Sequence, residues 1–346
     1  TCEDDSQWTT VARNTTAPLG RPVCVARCVA GIARPCDTVA TNSMPGFCAV
    51  WDEEVGRGYR VMIGASSGFL QSTFTCSESA TSFLDFQIGL NMRLAALESS
   101  ERFAAPQAPE HGNTRGVVMS THNGMLILTV TAISRLRASG CSLPVELFFR
   151  LEELDRTHPI VAEILDMGNV TLRQIEDPEV KGFYTKIYAF AHTRFDHALL
   201  LDTDNLVAAD PEYLFDTDEY QQHGAILWPD HWHPAYSPLF NFDSTSLAWE
   251  LFNVPYQFMF EGESGQVLIN RHACRRAIDV MLFVIKHVDV IESLKLLHGD
   301  KDIFRFAFFA TGKSFEMTRY PPGADSPLKL QFLIRIRLEA LLLPRP

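Results

Sequence analysis

Two acidic residues, Asp202 and Asp204, close the apolar run Ala198-Leu199-Leu200-Leu201 with a single threonine between them. A short unbroken apolar run reads as a buried strand, and the carboxyl end of a strand in an open α/β sheet is where ligands bind. Two carboxylates flanking one residue are hard oxygen ligands suited to Mn²⁺ or Mg²⁺, with the other coordination positions left to substrate phosphates and water. The chemistry this suggests is transfer from a nucleotide-activated donor. Asp-x-Asp triplets are also common on ordinary surfaces, so the weight here comes from the strand that the triplet terminates.

Four other segments bring reactive side chains together. Thr121-His122-Asn123-Gly124 follows the apolar segment Gly116–Ser120 and precedes a helical pattern over Leu126–Ala138. A nucleotide could rest there against backbone N–H groups and the helix amino end; an ordinary turn capped by Thr121 or Asn123 fits equally well. Trp228-Pro229-Asp230-His231-Trp232-His233-Pro234 places tryptophan faces beside Asp230, a combination suited to a sugar ring and its hydroxyls. Core packing is the alternative for both tryptophans. His231 and His233 alternate like metal ligands, but no third ligand is evident. Glu261-Gly262-Glu263-Ser264-Gly265-Gln266 enters the next apolar run, and its glycines permit close approach of a ligand to Glu263 or Gln266. Gly299-Asp300-Lys301-Asp302 precedes the aromatic run Ile303–Phe309, where Asp302 either caps a helix or meets a substrate hydroxyl.

The elements that must position these residues alternate. Gly116–Ser120 reads as a strand, Leu126–Ala138 as a helix ended by Gly140, and Pro144–Phe149 as the next strand. Strand, helix, strand at this spacing is a βαβ unit, which makes a parallel sheet. A helix over Lys186–Arg194 then feeds the Ala198–Leu201 strand, and further strands are expected at Gly224–Trp228 and Gly265–Asn270, with a helix over Arg275–His287. Upstream, residues 1 to 82 read as irregular and turn-rich, Phe83–Arg102 as a helix, and Ala104–Asn113, with Pro106 and Pro109, as part of a linker.

The chain has 346 residues and a net charge of −12, enough length for a substantial core and the wrong sign for a nucleic-acid-binding surface. No stretch approaches the roughly 18 apolar residues of a membrane span. The first residue is Thr1 and not Met, so an upstream segment is expected outside this chain. Cys2, Cys24, Cys28, Cys36, Cys48 and Cys76 crowd the first quarter, leaving Cys141 and Cys274 for the rest. That density predicts disulfide staples and a secretory compartment, and the glycosylation triplets at Asn14 and Asn169 agree with it.

From about Gly116 to Tyr320 the chain resembles the fungal-type Golgi α-1,2/α-1,3-mannosyltransferases. The segments that carry the resemblance are Gly140–Phe148, Phe195–Asn205, Gly224–Trp232, Glu263–Asn270 and Gly299–Phe304, in that order. The resemblance implies an α/β GT-A fold, Rossmann-like with a mostly parallel central sheet and flanking helices, preceded here by a small Cys-rich segment. Together with the composition, it leads to an expected division into a Cys-rich region and helix over 1–103, outside the resemblance, a linker over 104–115, a GT-A domain over 116–325 and an atypical tail over 326–346. It also implies a retaining, metal-dependent transfer of mannose from GDP-mannose to a mannose-bearing glycan of a glycoprotein, in the Golgi lumen, by a type II membrane protein whose anchor lies outside this chain. By the same resemblance Asp202 and Asp204 hold Mn²⁺ or Mg²⁺, and Thr121, His122, Asn123, Gly124, Lys186, Asp202 and Gln266 hold the donor. Glu263, Asp230 and Asp302 serve the sugar, the acceptor or the reaction. Two alternatives keep the architecture: a catalytically impaired glycan-binding protein, or transfer of another nucleotide-activated sugar. The sequence after Tyr320 departs from the family pattern, and no histidine follows His298 to complete a metal site.

Overall fold

A computed structural model of the protein describes residues 8–10, 22–29, 32–41, 46–54, 56–64, 73–103, 113–235, 242–319 and 321. The Asn14 triplet, most of the expected linker and the tail lie outside the described residues. In chain order the strands and helices are β1 (Trp8–Thr10), β2 (Pro22–Val29), β3 (Ile32–Arg34), β4 (Phe47–Asp52), β5 (Arg57–Val61), α1 (Cys76–Phe103), β6 (Arg115–Thr121), α2 (Leu126–Ala138), β7 (Val145–Phe149), α3 (Pro159–Asp166), β8 (Val170–Gln174), α4 (Thr185–His192), β9 (His197–Leu201), α5 (Asp218–His223), β10 (Ala225–Pro229), α6 (Leu247–Leu251), β11 (Gly262–Asn270), α7 (Arg275–Ile285), α8 (Val288–Ser293), α9 (Ile303–Thr311) and β12 (Glu316–Met317).

The chain forms two compact units. One gathers Thr1–Pro106, His231–Glu261 and Phe283–Gly312; the other gathers Gln107–Asp230, Gly262–Leu282 and Lys313–Pro346.

The first unit corrects the expectation of irregular structure before residue 82. Its five strands form one sheet in the order β1-β5-β4-β2-β3, with β1 parallel to β5 and the other neighbours antiparallel. These strands carry Cys, Ala, Gly and Arg in place of a clean β-branched alternation, so the period-2 signal is weak. Helix α1 also begins before the expected Phe83. Thr75 Oγ1 accepts from the Glu78 backbone N–H at 3.3 Å and its hydroxyl meets Glu78 Oε2 at 2.7 Å, half of a capping-box arrangement that starts the helix. Cys48 on β4 is disulfide-bonded to Cys76, the first residue of α1. Cys36 is disulfide-bonded as well, in line with the expected staples. Phe86 of α1 packs edge-on against Phe252 and Phe283, with ring centroids 5.5 and 5.3 Å away.

The second unit is built on a seven-stranded sheet ordered β12-β10-β11-β9-β6-β7-β8. Strands β9, β6, β7 and β8 run parallel, and β11 lies antiparallel between β9 and β10. Val117, Val118, Leu199 and Leu200 are fully buried, because helices cover both faces of a parallel sheet and its strands become continuous apolar runs. Leu126, Ile133 and Leu136 of α2 and Val161 and Ile164 of α3 share a core with Val117, Leu147, Leu199 and Leu201. Helix α4 contacts β6, β7 and β9. Helix α2 has the expected bounds. By contrast, α3 and β8 were not expected: α3 is short and capped by His158, whose ring accepts from Ile160 N–H, and β8 is an edge strand with Thr, Arg and Gln in five positions. The parallel order is what positions a site. The chain runs from β6 outward to β7 and β8, then returns to β9 on the other side of β6. That reversal opens a crevice at the carboxyl ends of β6 and β9.

Glycine is required where Phe195 crosses β6. A Cβ on Gly116 would lie 2.3 Å from the Phe195 ring, so any side chain there must displace the aromatic.

Candidate functional site

A cavity of about 360 Å³ lies at this crevice, lined by Ser120, Thr121 and His122 at the end of β6, by Phe148, Phe149, Arg150 and Glu153 at and beyond the end of β7, and by Asp202, Thr203 and Asp204 after β9. Thr185 and Lys186 of α4 complete the polar lining. Each parallel strand therefore delivers its carboxyl-terminal residues to one place. The antiparallel insertion brings more: β10 ends at Pro229, so Asp230 leaves the sheet at this edge, and Glu263 enters it there opposite Trp228.

The turn that carries Asp202 and Asp204 is fixed by one carbonyl. Gly265 O accepts from Asp202 N–H at 2.8 Å and from Asn205 Nδ2 at 2.6 Å. Lys186 Nζ donates to Asp202 Oδ2 at 2.7 Å and lies 3.4 Å from Ser264 Oγ. Thr203 is buried, whereas Asp204 is exposed to the cavity mouth and solvent. The alternation points the two carboxylates away from the core while the threonine between them anchors the turn.

The residues fit a hard divalent ion. Among the described residues no three His, Cys, Asp or Glu side chains group closely enough to hold a metal unaided. Two carboxylates on one turn are nonetheless the donor set expected where phosphate oxygens and water supply the remaining ligands.

The other expected residues divide. Thr121 and His122 line the cavity, whereas Asn123 and Gly124 do not. The cap expected from Thr121 or Asn123 comes from His122, whose Nδ1 accepts from Gly124 N–H at 3.2 Å. Thr121 Oγ1 instead meets Thr129 Oγ1 of α2 at 2.7 Å. Asn123 fastens the loop after β7: its N–H donates to Glu153 O at 2.9 Å and its Oδ1 accepts from Asp155 N–H at 2.8 Å. Glu263 accepts from Gly265 N–H at 2.7 Å. Gln266 is buried opposite Leu201, and its Oε1 has no hydrogen-bond partner among the described residues. Asp302 belongs to the other unit, buried at φ +67°, with Oδ1 2.7 Å from Arg305 Nη2 rather than capping α9 with its side chain. Trp228 is core, packed with Leu201, Tyr220 and Leu268, so it is not a sugar platform. Trp232 is half-buried in the first unit, where its carbonyl accepts from Glu261 N–H at 2.9 Å.

Arg150, Glu153 and Phe183 are cavity residues that sequence reasoning missed. Arg150 follows the expected β7 strand directly, so the rule that selected Asp202 would have selected it. Phe183 carries no comparable signal. Burial pushes the Cys141 thiol up to about 11 and the Cys274 thiol up to about 12, which removes both as nucleophiles at neutral pH.

The model of the family described as "Mannosyltransferase putative" matches residues 114–331. The chain belongs to this family. Its sequence is similar to the α-1,2-mannosyltransferase MNN21 of Candida albicans, 32% identical over 170 residues that cover 43% of this chain and 26% of that protein. It is also similar to α-1,2-mannosyltransferase MNN23 of the same organism, 26% identical over 258 residues, 61% of this chain and 42% of that protein. The matched stretches thus span about a quarter to two fifths of the length of these curated relatives. Among solved structures, the chain is similar to the galactosyltransferase LgtC in complex with donor and acceptor sugar analogues, with a TM-score of 0.42, 16% identity, and coverage of 59% of this chain and 73% of that one. The glycosyltransferase GlyE of Streptococcus pneumoniae TIGR4 is similar with a TM-score of 0.41, 15% identity, and coverage of 60% and 45%.

Proposed function

We propose that the chain is the catalytic region of a retaining GT-A glycosyltransferase that moves mannose from GDP-mannose to a mannose-bearing glycan of a glycoprotein. The observation that carries this reading is the placement of Asp202 and Asp204 at the carboxyl end of β9, in the cavity at the sheet's switch point, with Lys186 held against Asp202. Membership of the mannosyltransferase family supports the sugar, and the family's fungal relatives support a Golgi-type setting. Among the described residues no helix is long and apolar enough to cross a membrane, and a type II anchor belongs to this proposal as a segment outside the chain.

Asp202 and Asp204 would hold Mn²⁺ or Mg²⁺, which when bound neutralises charge on the departing diphosphate, a contribution of several kcal/mol to such barriers. Lys186 keeps the Asp202 carboxylate in place and brings its positive charge to the phosphate oxygens. Thr121 and His122 present the β6 exit to the nucleotide. Asp230 and Glu263, delivered to the same sheet edge by β10 and β11, are assigned to sugar and acceptor hydroxyls, and Gln266, with its unpartnered carbonyl oxygen, to the donor.

Incubating the full chain with Mn²⁺ and a panel of nucleotide sugars, and following release of nucleoside diphosphate, tests the proposal without knowledge of the acceptor. GDP-mannose turnover that disappears in Asp204→Ala is expected. Turnover of a UDP-sugar in its place would reassign the donor, and no turnover with any donor or mannose acceptor would reject the enzyme.

A further inference from the structure

The donor cavity contains a second group of side chains, distinct from the acidic turn. Phe183 lines it while remaining 65% exposed, a value matched among the large apolar side chains of the described residues by Phe258 alone. An aromatic ring so open on a cavity wall presents an uncovered face. It is set by the 3-10 turn Gly182–Tyr184, whose first residue has φ +55° and so favours glycine. Arg150 is buried at 8% exposure, and its Nη1 donates to Glu153 Oε1 at 3.2 Å while Nη2 meets Glu152. Glu153 is held from behind as well, because its carbonyl receives Asn123 N–H and the loop beyond it is tied to Asn123 Oδ1. The outcome is an oriented carboxylate, 39% exposed, whose Oε2 has no hydrogen-bond partner among the described residues.

We propose that Glu153 and Phe183 read the nucleobase of the donor, and that the base they select is guanine. This rests on the nucleotide-sugar reading above and deepens it. Guanine presents N1–H and the N2 amine side by side, two donors that a carboxylate accepts together. Uracil presents one N–H between two carbonyl oxygens, which a carboxylate repels, and adenine offers an acceptor where guanine has N1–H. Phe183 supplies a flat apolar face for the purine, a contact that is indifferent to base identity. Arg150 is a positioning residue that holds the Glu153 carboxylate in its orientation. Selectivity therefore belongs to Glu153, and general affinity to Phe183.

Calorimetric binding of GDP, IDP and UDP to the full chain in Mn²⁺ tests this, because IDP keeps N1–H and lacks only the N2 amine. The wild-type protein should prefer GDP over IDP by about tenfold, with UDP weaker still. Glu153→Gln, near-isosteric and checked for an unchanged unfolding temperature, should bring GDP down to the IDP level and leave UDP unaffected or improved. Phe183→Ala should weaken all three alike, with Phe183→Trp restoring them. Retained GDP-over-IDP preference in Glu153→Gln, or a wild-type preference for UDP, would overturn the base assignment while leaving the transferase reading intact. A wild-type protein that binds none of the three overturns both.

Discussion

Lys186 Nζ donates to Asp202 Oδ2 at 2.7 Å, so the ammonium of α4 is engaged with the acidic turn of β9. The two side chains retain 10% and 25% exposure. Breaking a fully buried pair costs about 3–5 kcal/mol, and the partial exposure of Asp202 reduces the expectation to about 1–2 kcal/mol. Lys186→Met should show that loss in thermal unfolding together with at least a tenfold drop in GDP affinity. A stability loss without any change in GDP affinity would make Lys186 structural only.

Asp204 contrasts with its neighbour because its side chain is exposed and lines the cavity. Exposed substitutions of this kind usually change stability by less than about 0.5 kcal/mol. Asp204→Ala should therefore unfold at the wild-type temperature yet lose Mn²⁺-dependent GDP binding in calorimetry. Unchanged affinity would remove Asp204 from the metal site.

The parallel half of the large sheet is legible from sequence because burial on both faces leaves continuous apolar runs such as Val117–Met119 and Leu199–Leu201, and α2 shows its period up to the stop at Gly140, which adopts φ +96°. The acidic turn is legible for the same reason, since the run ends where the charges begin. The start of α1 was available in Thr75-Cys76-Ser77-Glu78 but is masked by the stronger apolar period that follows. The composition of the first unit is not legible at all. Glu250 of α6 accepts from the backbone N–H groups of Ile63 and Gly64 at 3.0 and 2.8 Å, a pin across 187 and 186 residues that no local pattern announces. Glu153 and Phe183 are hidden in a similar way, because a loop's chemistry depends on which strand exits its neighbours share.

Trp228 and Trp232 stand close in sequence and should respond differently. Trp228 is 5% exposed in the core, so Trp228→Ala should cost about 3–5 kcal/mol and weaken every ligand alike. Trp232 is only half-buried, and Trp232→Ala should cost less, about 1–2 kcal/mol. Thermal unfolding and GDP-mannose binding measured together would expose the opposite ranking, which would mean that the 228–232 segment is packed otherwise than described.

The Cys48–Cys76 bridge joins β4 to the first residue of α1 across 28 residues of sequence. Removing a native disulfide typically costs about 2–5 kcal/mol. The Cys48→Ser, Cys76→Ser double variant should unfold at a clearly lower temperature, and the difference should vanish when both proteins are assayed in strong reductant. An unchanged unfolding temperature without reductant would show that the bridge adds nothing to stability.

His197 opens β9 with both ring nitrogens engaged: Nε2 lies 2.6 Å from Asn113 Oδ1 and Nδ1 lies 2.7 Å from the Tyr220 hydroxyl. An amide oxygen can only accept, so Nε2 donates to it, and in the neutral ring Nδ1 then accepts the tyrosine O–H. Burial first, and Arg115 second, lower the His197 pKa below its ordinary 6.5, against a smaller opposing effect of Asp196. The folded state thus takes up its proton at lower pH than the unfolded chain does. Stability from this group is full above about 6.5 and falls as pH drops through that value towards the folded pKa. Protonation makes Nδ1 a donor, so the Tyr220 hydroxyl must turn its proton away to accept. Thermal unfolding from pH 8 to pH 5 should show the wild-type protein losing stability relative to His197→Gln, in which no titration occurs and every other group is common to both. A difference between the two proteins that stays constant with pH would contradict the neutral-imidazole assignment.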